Sequence, residues 1–405
     1  MLTEKVEDRS IKLTGFFMKL IGEIDLCLSD VLRCSMQILF LTVVFPIATK
    51  IDIDLFQREE KLFNCFFQSA LYICCNLLCL TLINCKLFVT LAHRMEFVQM
   101  IQYMKDHFWN NIYYNQEAEI IAQCRKTCFI FTTVVTAFGH GAISCYIIAP
   151  IIANVGKNES DRILPFNMWV DLPVAITPYY ELVFILQVIT LYSMGVCYFC
   201  FDNILCIICM HIAGQFRILQ YRLTTLYQAE EEKKDVNANI SLTYRANQSY
   251  EKLKNCIRQH QMLIDCCVRL ENVFTLMILA QVVIVSVLIC FTGFQVLSVT
   301  TSTARRCNFT FTTIGSSIML LMFTYSCHSL VDQSDNVGVA AYSALWAHMP
   351  MNRAGKLIRN DLLMVIIRSR KYCCVTANGF FPIALETYSK VITIHRFAPL
   401  LRVRG

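Results

Sequence analysis

Residues 272–304 carry no acidic or basic side chain, a run of 33 residues. A helix needs only about 20 apolar residues to cross a hydrocarbon core about 30 Å thick. Lipid gives the backbone no hydrogen-bond partner, so only helices and closed barrels span it. A run this long is a helix, and five further long stretches are almost as poor in charge. The expected class is therefore all-α and polytopic. Composition agrees: 56% of the 405 residues are hydrophobic and 16% charged, against about 25% charged in soluble domains.

The spans are expected at about 31–49, 62–91, 127–156, 179–214, 272–299 and 307–330. A weaker seventh, about 375–401, carries Glu386, Lys390, His395 and Arg396. This divides the chain into a terminus (1–30), a six-helix region (31–330) and the C-terminal portion. A long polar linker at about 211–271 joins the fourth and fifth spans. Residues 331–371 form an amphipathic helix, and 375–405 the seventh helix with a short tail. The first 30 residues are rich in charge and lack the apolar core of a signal peptide. Residues 229–270 contain no Pro or Gly, so the fourth and fifth spans should continue as helices beyond the membrane.

Lys and Arg accumulate in cytoplasmic connections. With the N-terminus inside, 23 of them fall in inside segments and 7 in outside connections. Seven spans then put the C-terminus outside. The sequons at Asn158 and Asn308 fall outside and those at Asn239 and Asn247 inside.

The net charge of +6 is dispersed, which excludes the clustered basic face of a nucleic-acid binder. Most of the 22 cysteines sit in apolar runs, where a thiol behaves as a small hydrophobe. Cys197-x-x-Cys200 and Cys206-x-x-Cys209 imitate zinc spacing, but fall on one membrane helix. The eight histidines are scattered, so neither metal nor cofactor is expected. No phosphate loop, nucleophile elbow or His-Glu-x-x-His occurs, so no enzymatic activity is expected.

The most specific pattern lies near the end. It reads Asp332-Gln-Ser-Asp-Asn-Val-Gly-Val-Ala-Ala-Tyr342, then Trp346 and Met349-Pro350, then a helix closing in Arg368-Ser369. Thr376-Ala377-Asn-Gly379-Phe380-Phe381-Pro382 and Leu385-Glu386-Thr387-Tyr388 follow. Over residues 332–391 this resembles the insect odorant receptor family. Elsewhere the likeness rests on topology.

The resemblance implies an odorant-gated, non-selective cation channel subunit of the plasma membrane of olfactory neurons. It implies a tuning receptor that assembles as a heterotetramer with the odorant receptor co-receptor. It places a subunit anchor in the inner helices, represented here by Tyr342, Trp346, Arg368, Phe380 and Phe381. It makes the second half of the seventh element line the pore, with Glu386 and Lys390 one helical turn apart. Leu400 and Leu401 are nearest to the family's hydrophobic gate. The tail departs from the family in His395, Arg396 and Pro399. Either the co-receptor supplies most of the conduction path, or the tail from about 394 is foreign to the native transcript.

The ligand is expected to be a small apolar organic odorant. The resemblance places its pocket in the outer half of the second, third, fourth and sixth helices. The candidate contacts are Phe67, Tyr72, His140, Ser144, Tyr180, Phe184, Gln187, Ile314 and Ile318. His140 stands between Gly139 and Gly141 and needs a hydrogen-bond partner at membrane depth. A gustatory receptor would end in a different motif. A G-protein-coupled receptor would show the opposite charge bias, an Asp-Arg-Tyr and an Asn-Pro-x-x-Tyr.

Overall fold

The computed structural model describes residues 60–109, 111, 113–159, 162–165, 176–226, 238–297, 303–346 and 351–397. The first expected span, Leu400 and Leu401 lie outside these residues. So do the side chains of Phe67 and Tyr72.

The described residues form eight α-helices: α1 Glu60–Ala92, α2 Arg94–Met104, α3 Asn115–Ala153, α4 Tyr179–Thr224, α5 Ala238–Leu297, α6 Thr303–Ser343, α7 Arg353–Ser369 and α8 Leu385–Phe397. They contain no β-strand, only an isolated bridge between Thr376 and Pro382. This is the expected all-α, polytopic architecture. Four helical segments are long and apolar enough to cross a membrane, namely Asn115–Ala153, Tyr198–Thr224, Tyr244–Leu297 and Arg306–Ser343. Cys74–Thr90 and Arg94–Trp109 form a fifth only if their 77° bend is counted within one span.

The 60 residues of α5 extend about 90 Å at 1.5 Å per residue. The polar linker thus runs without a break into the uncharged stretch, as its lack of Pro and Gly predicts. Its apolar stripe meets α2: Phe97, Met100 and Met104 are buried, and the Phe97 and Phe274 rings lie 5.8 Å apart. The widest packing is α4 on α6, followed by α3 on α4.

Two expectations are corrected. Residues 331–371 are not one helix. The sixth helix continues to Ser343, and α7 starts anew at Arg353, where the Asn352 side chain accepts the Gly355 amide at 2.9 Å. The two helices then fold together at Gly338, where a Cβ would lie 2.3 Å from Ser369 Oγ.

The seventh element is also not helical from Val375. Residues 375–383 form a tight hairpin in which Ile383 N–H donates to the Val375 carbonyl at 3.0 Å and Ala377 N–H to that of Phe381 at 2.9 Å. Asn378 and Gly379 turn it with φ of 51° and 77°. Gly379 is needed for that positive φ and not for close packing, since nothing lies within 4 Å of a Cβ placed there. Lys86, inside the expected second span, is fully buried within α1.

Candidate ligand site

The site starts from two glycines. A Cβ on Gly139 of α3 would lie 2.4 Å from the Phe199 ring of α4. One on Gly195 of α4 would lie 2.3 Å from Ile143 Cδ1 of α3. Each helix lacks a side chain where the other projects one, so their backbones come close. This fixes the height at which the neighbouring aromatic residues face each other.

His140 follows directly. Its ring lies 5.8 Å from that of Tyr192 and 5.5 Å from that of Phe199, the latter edge to face. Ile143, Phe199, Met319 and Met322 are buried in the same cluster, with Ile147, Leu191 and Ile318 packed against it. Phe131 and Tyr325 close the lower side, edge to face at 5.2 Å. Three helices, α3, α4 and α6, therefore enclose one aromatic and thioether-rich centre with an imidazole at its border. Such a surface is mostly apolar and adaptable, with a few polar groups at its border.

The structure sorts the candidate contacts. His140 and Ile318 join this centre. Gln187, one turn above Leu191 on α4, is buried. The rings of Phe184 and Tyr180 lie 5.9 Å apart, tilted to one another, farther along the same helix. Tyr180 instead belongs to a polar knot in the 154–181 connection. There Asn154 Nδ2 donates to its hydroxyl at 2.7 Å, and the Arg162 guanidinium lies 5.3 Å from its ring centre. Ser144 of α3 and Ile314 of α6 are exposed in the single chain. Tyr192 and Phe199 were missed. They lie inside a long apolar run, and only the Gly195 crossing singles out their face.

Directly below, on the next turn of α4, lies a charge network that the sequence did not disclose. Lys86 Nζ of α1 donates to both Asp202 carboxylate oxygens, at 2.7 and 2.8 Å. It also donates to the Tyr198 carbonyl at 3.2 Å and sits 4.6 Å above the Tyr198 ring. Gln281 Nε2 of α5 donates to Asp202 at 3.1 Å. Ionisable groups at membrane depth pair with one another or face water. These pair, and in doing so they join α1, α4 and α5 beneath the aromatic centre.

The hairpin at 375–383 is tied to the same helix. Thr376 Oγ1 donates to Glu271 Oε1 at 2.5 Å, Thr275 Oγ1 to the Thr376 carbonyl at 3.1 Å, and Asn378 N–H to Thr275 Oγ1 at 2.8 Å. Ser334 of α6 holds the Cys373 amide at 2.9 Å. The Cys267 thiol beside it, together with Arg368, pulls the Cys373 thiol below its ordinary pKa. On α8, Glu386 and Lys390 pair at 2.8 Å in full exposure.

Four of the anchor candidates are exposed aromatic residues in the single chain. Tyr342 is 69% and Phe380 73% exposed, and Trp346 and Phe381 are exposed too. Arg368 instead donates to the Lys371 carbonyl at 3.0 Å, closing α7. Asn158 lies exposed in a connection, whereas Asn308 is half-buried within α6.

A profile of the family described as "7tm Odorant receptor" matches residues 66–394. Odorant receptor 13a of Drosophila melanogaster is 24% identical over 333 residues, 78% of this chain and 76% of that one. Odorant receptor 67c of the same species is 28% identical over 213 residues, 52% of this chain and 48% of that one. The match to the latter thus spans about half of that relative's length. Among solved structures, the insect olfactory receptor OR5 from Machilis hrabei superposes with a TM-score of 0.76 at 10% identity, covering 96% of this chain and 97% of that one. The same receptor in complex with eugenol covers 99% of both chains, again with a TM-score of 0.76. At this identity the likeness shows the fold.

Proposed function

Since this chain belongs to the odorant receptor family, a family of polytopic membrane proteins, we propose that it is the tuning subunit of an odorant-gated, non-selective cation channel. It sits in the plasma membrane of olfactory neuron dendrites, N-terminus inside, and works as a heterotetramer with the odorant receptor co-receptor. Its ligand is a small apolar organic molecule. The aromatic and thioether centre around His140, Tyr192 and Phe199 receives it, and the olfactory receptor solved with eugenol shares the fold.

The observation that carries this reading is the coincidence of that centre with the charge network one turn below it. A ligand that alters the packing of Phe199 acts on the helix that bears Asp202, and so on α1 and α5. Helix α5 holds the hairpin that leads into α8. The odorant must bind the open arrangement better than the closed one, because only differential affinity shifts the population. Glu386 and Lys390 of α8 face the conduction path. Tyr342, Trp346, Phe380 and Phe381 meet neighbouring subunits, and Asn158 carries the glycan.

The test is whole-cell current from cells expressing this chain with the co-receptor, recorded against an odour panel. Evoked cation current is expected for the wild type. For Phe199→Ala and His140→Ala, the effective odorant concentration should shift by about tenfold or more, the cost of about 1.4 kcal/mol of lost contact. Unchanged concentration–response curves in both variants would place the ligand elsewhere.

A further inference from the structure

Cys124 and Cys128 of α3 and His211 of α4 bring two thiol sulfurs and an imidazole nitrogen within 4.8 Å of one another, all three residues buried. The two cysteines are one helical turn apart, so their side chains stack on one face of α3. That face meets α4 where it has a gap. A Cβ on Gly214 would lie 3.3 Å from Cys124 Sγ, and Cys124 Sγ already donates to the Met210 carbonyl at 3.1 Å. The Trp109 ring stands edge-on against His211, centroids 5.9 Å apart.

Buried thiols are common in this chain and mostly fill apolar space. Among the described residues, three metal-competent donors converge only here. Thiolate and imidazole are the ligands of thiophilic d10 ions, in sets of three or four. Two thiolates and a neutral imidazole around Zn2+ carry no net charge, which avoids the penalty of burying an unpaired one. The same set suits the trigonal preference of Cu+ at the cost of one negative charge.

We propose that Cys124, Cys128 and His211 bind a thiophilic d10 metal ion, Zn2+ or Cu+, that ties α3 to α4. Each cysteine releases its thiol proton to solvent on binding and donates a sulfur lone pair to the ion. His211 donates through one ring nitrogen and stays neutral. Zn2+ keeps a fourth position open. The site lies three turns along α3 from His140, and Cys124 and Cys128 pack in the same buried cluster as Ile143 and Phe199. A bound ion would therefore restrain the α3–α4 crossing beside the aromatic centre.

The experiment uses the purified full-length chain in detergent, stripped of metal. It is loaded separately with Zn2+ or with Cu+, desalted, and analysed for metal per chain. The wild type should keep about one ion, and Cys124→Ala/Cys128→Ala should keep several-fold less. His211→Cys, which restores a donor, should retain the ion, whereas His211→Gln should lose it. Cys307→Ala, at an exposed cysteine, should match the wild type. Retention in one arm alone supports the site and identifies its ion. If the wild type keeps neither ion, or the double variant keeps as much as the wild type, the site does not exist.

Discussion

Lys86 Nζ lies between the two oxygens of Asp202, 2.7 and 2.8 Å away, with both residues closed off from solvent. Removing one partner leaves a buried charge without compensation, which costs about 3–5 kcal/mol. Lys86→Met and Asp202→Leu should each lower the thermal midpoint of the purified receptor steeply. The double variant should recover much of the loss, because two apolar side chains replace the pair. If the double variant loses as much as the two single losses combined, the two residues do not act as a pair.

The glycine crossing gives a matched comparison. Gly139→Ala places a methyl 2.4 Å from the Phe199 ring, while Gly141→Ala meets nothing within 4 Å. Overpacking of this kind costs about 1–3 kcal/mol. Gly139→Ala should reduce stability and displace the odorant response, and Gly141→Ala should do neither. Equal behaviour of the two variants in a thermal melt would contradict the close approach.

The link between α5 and the hairpin rests on Glu271, Thr275 and Thr376. Thr376→Val and Glu271→Gln each remove or weaken the same hydrogen bond, so their effects should overlap. In a double-mutant cycle on the effective odorant concentration, a coupling of about 0.5 kcal/mol or more is expected for residues in one network. Additive shifts would show that this contact takes no part in gating. Gly379→Ala adds a Cβ at φ 77° and should destabilise the hairpin by more than the roughly 0.4–1 kcal/mol that such a change yields at compatible sites.

Glu386 and Lys390 pair on the surface of α8. Exposed pairs contribute little to stability, so Glu386→Gln should leave the thermal midpoint unchanged. If α8 faces the conduction path, the same substitution should lower single-channel cation conductance measurably in the complex with the co-receptor. Unaltered conductance would turn this helix face away from the pore.

Much of this architecture was legible in the sequence because long uncharged runs admit few alternatives. The unbroken passage of α5 from polar linker to membrane span followed from residues 229–270 having no helix breaker. The features that sequence reading missed share a cause. Lys86 ends a 24-residue uncharged stretch, and its partner Asp202 is 116 positions away, so no local pattern pairs them. Tyr192 and Phe199 sit in a run apolar on every face, where periodicity cannot choose a side. The hairpin at 375–383 looked like the start of a helix because its residues are apolar. Asn378-Gly379 was the turn signal that marked it. Cys124 and Cys128 lie one helical turn apart, but their third donor comes from another helix.

The most direct test of the account is odour-evoked current in a heterologous cell, measured for this chain with and without the co-receptor. The account predicts a cation current that follows odorant within the same cell and is large only when both subunits are present. A current equally large from this chain alone would contradict the heteromeric channel, and none from either combination across a broad odour panel would contradict the odorant-gated channel itself.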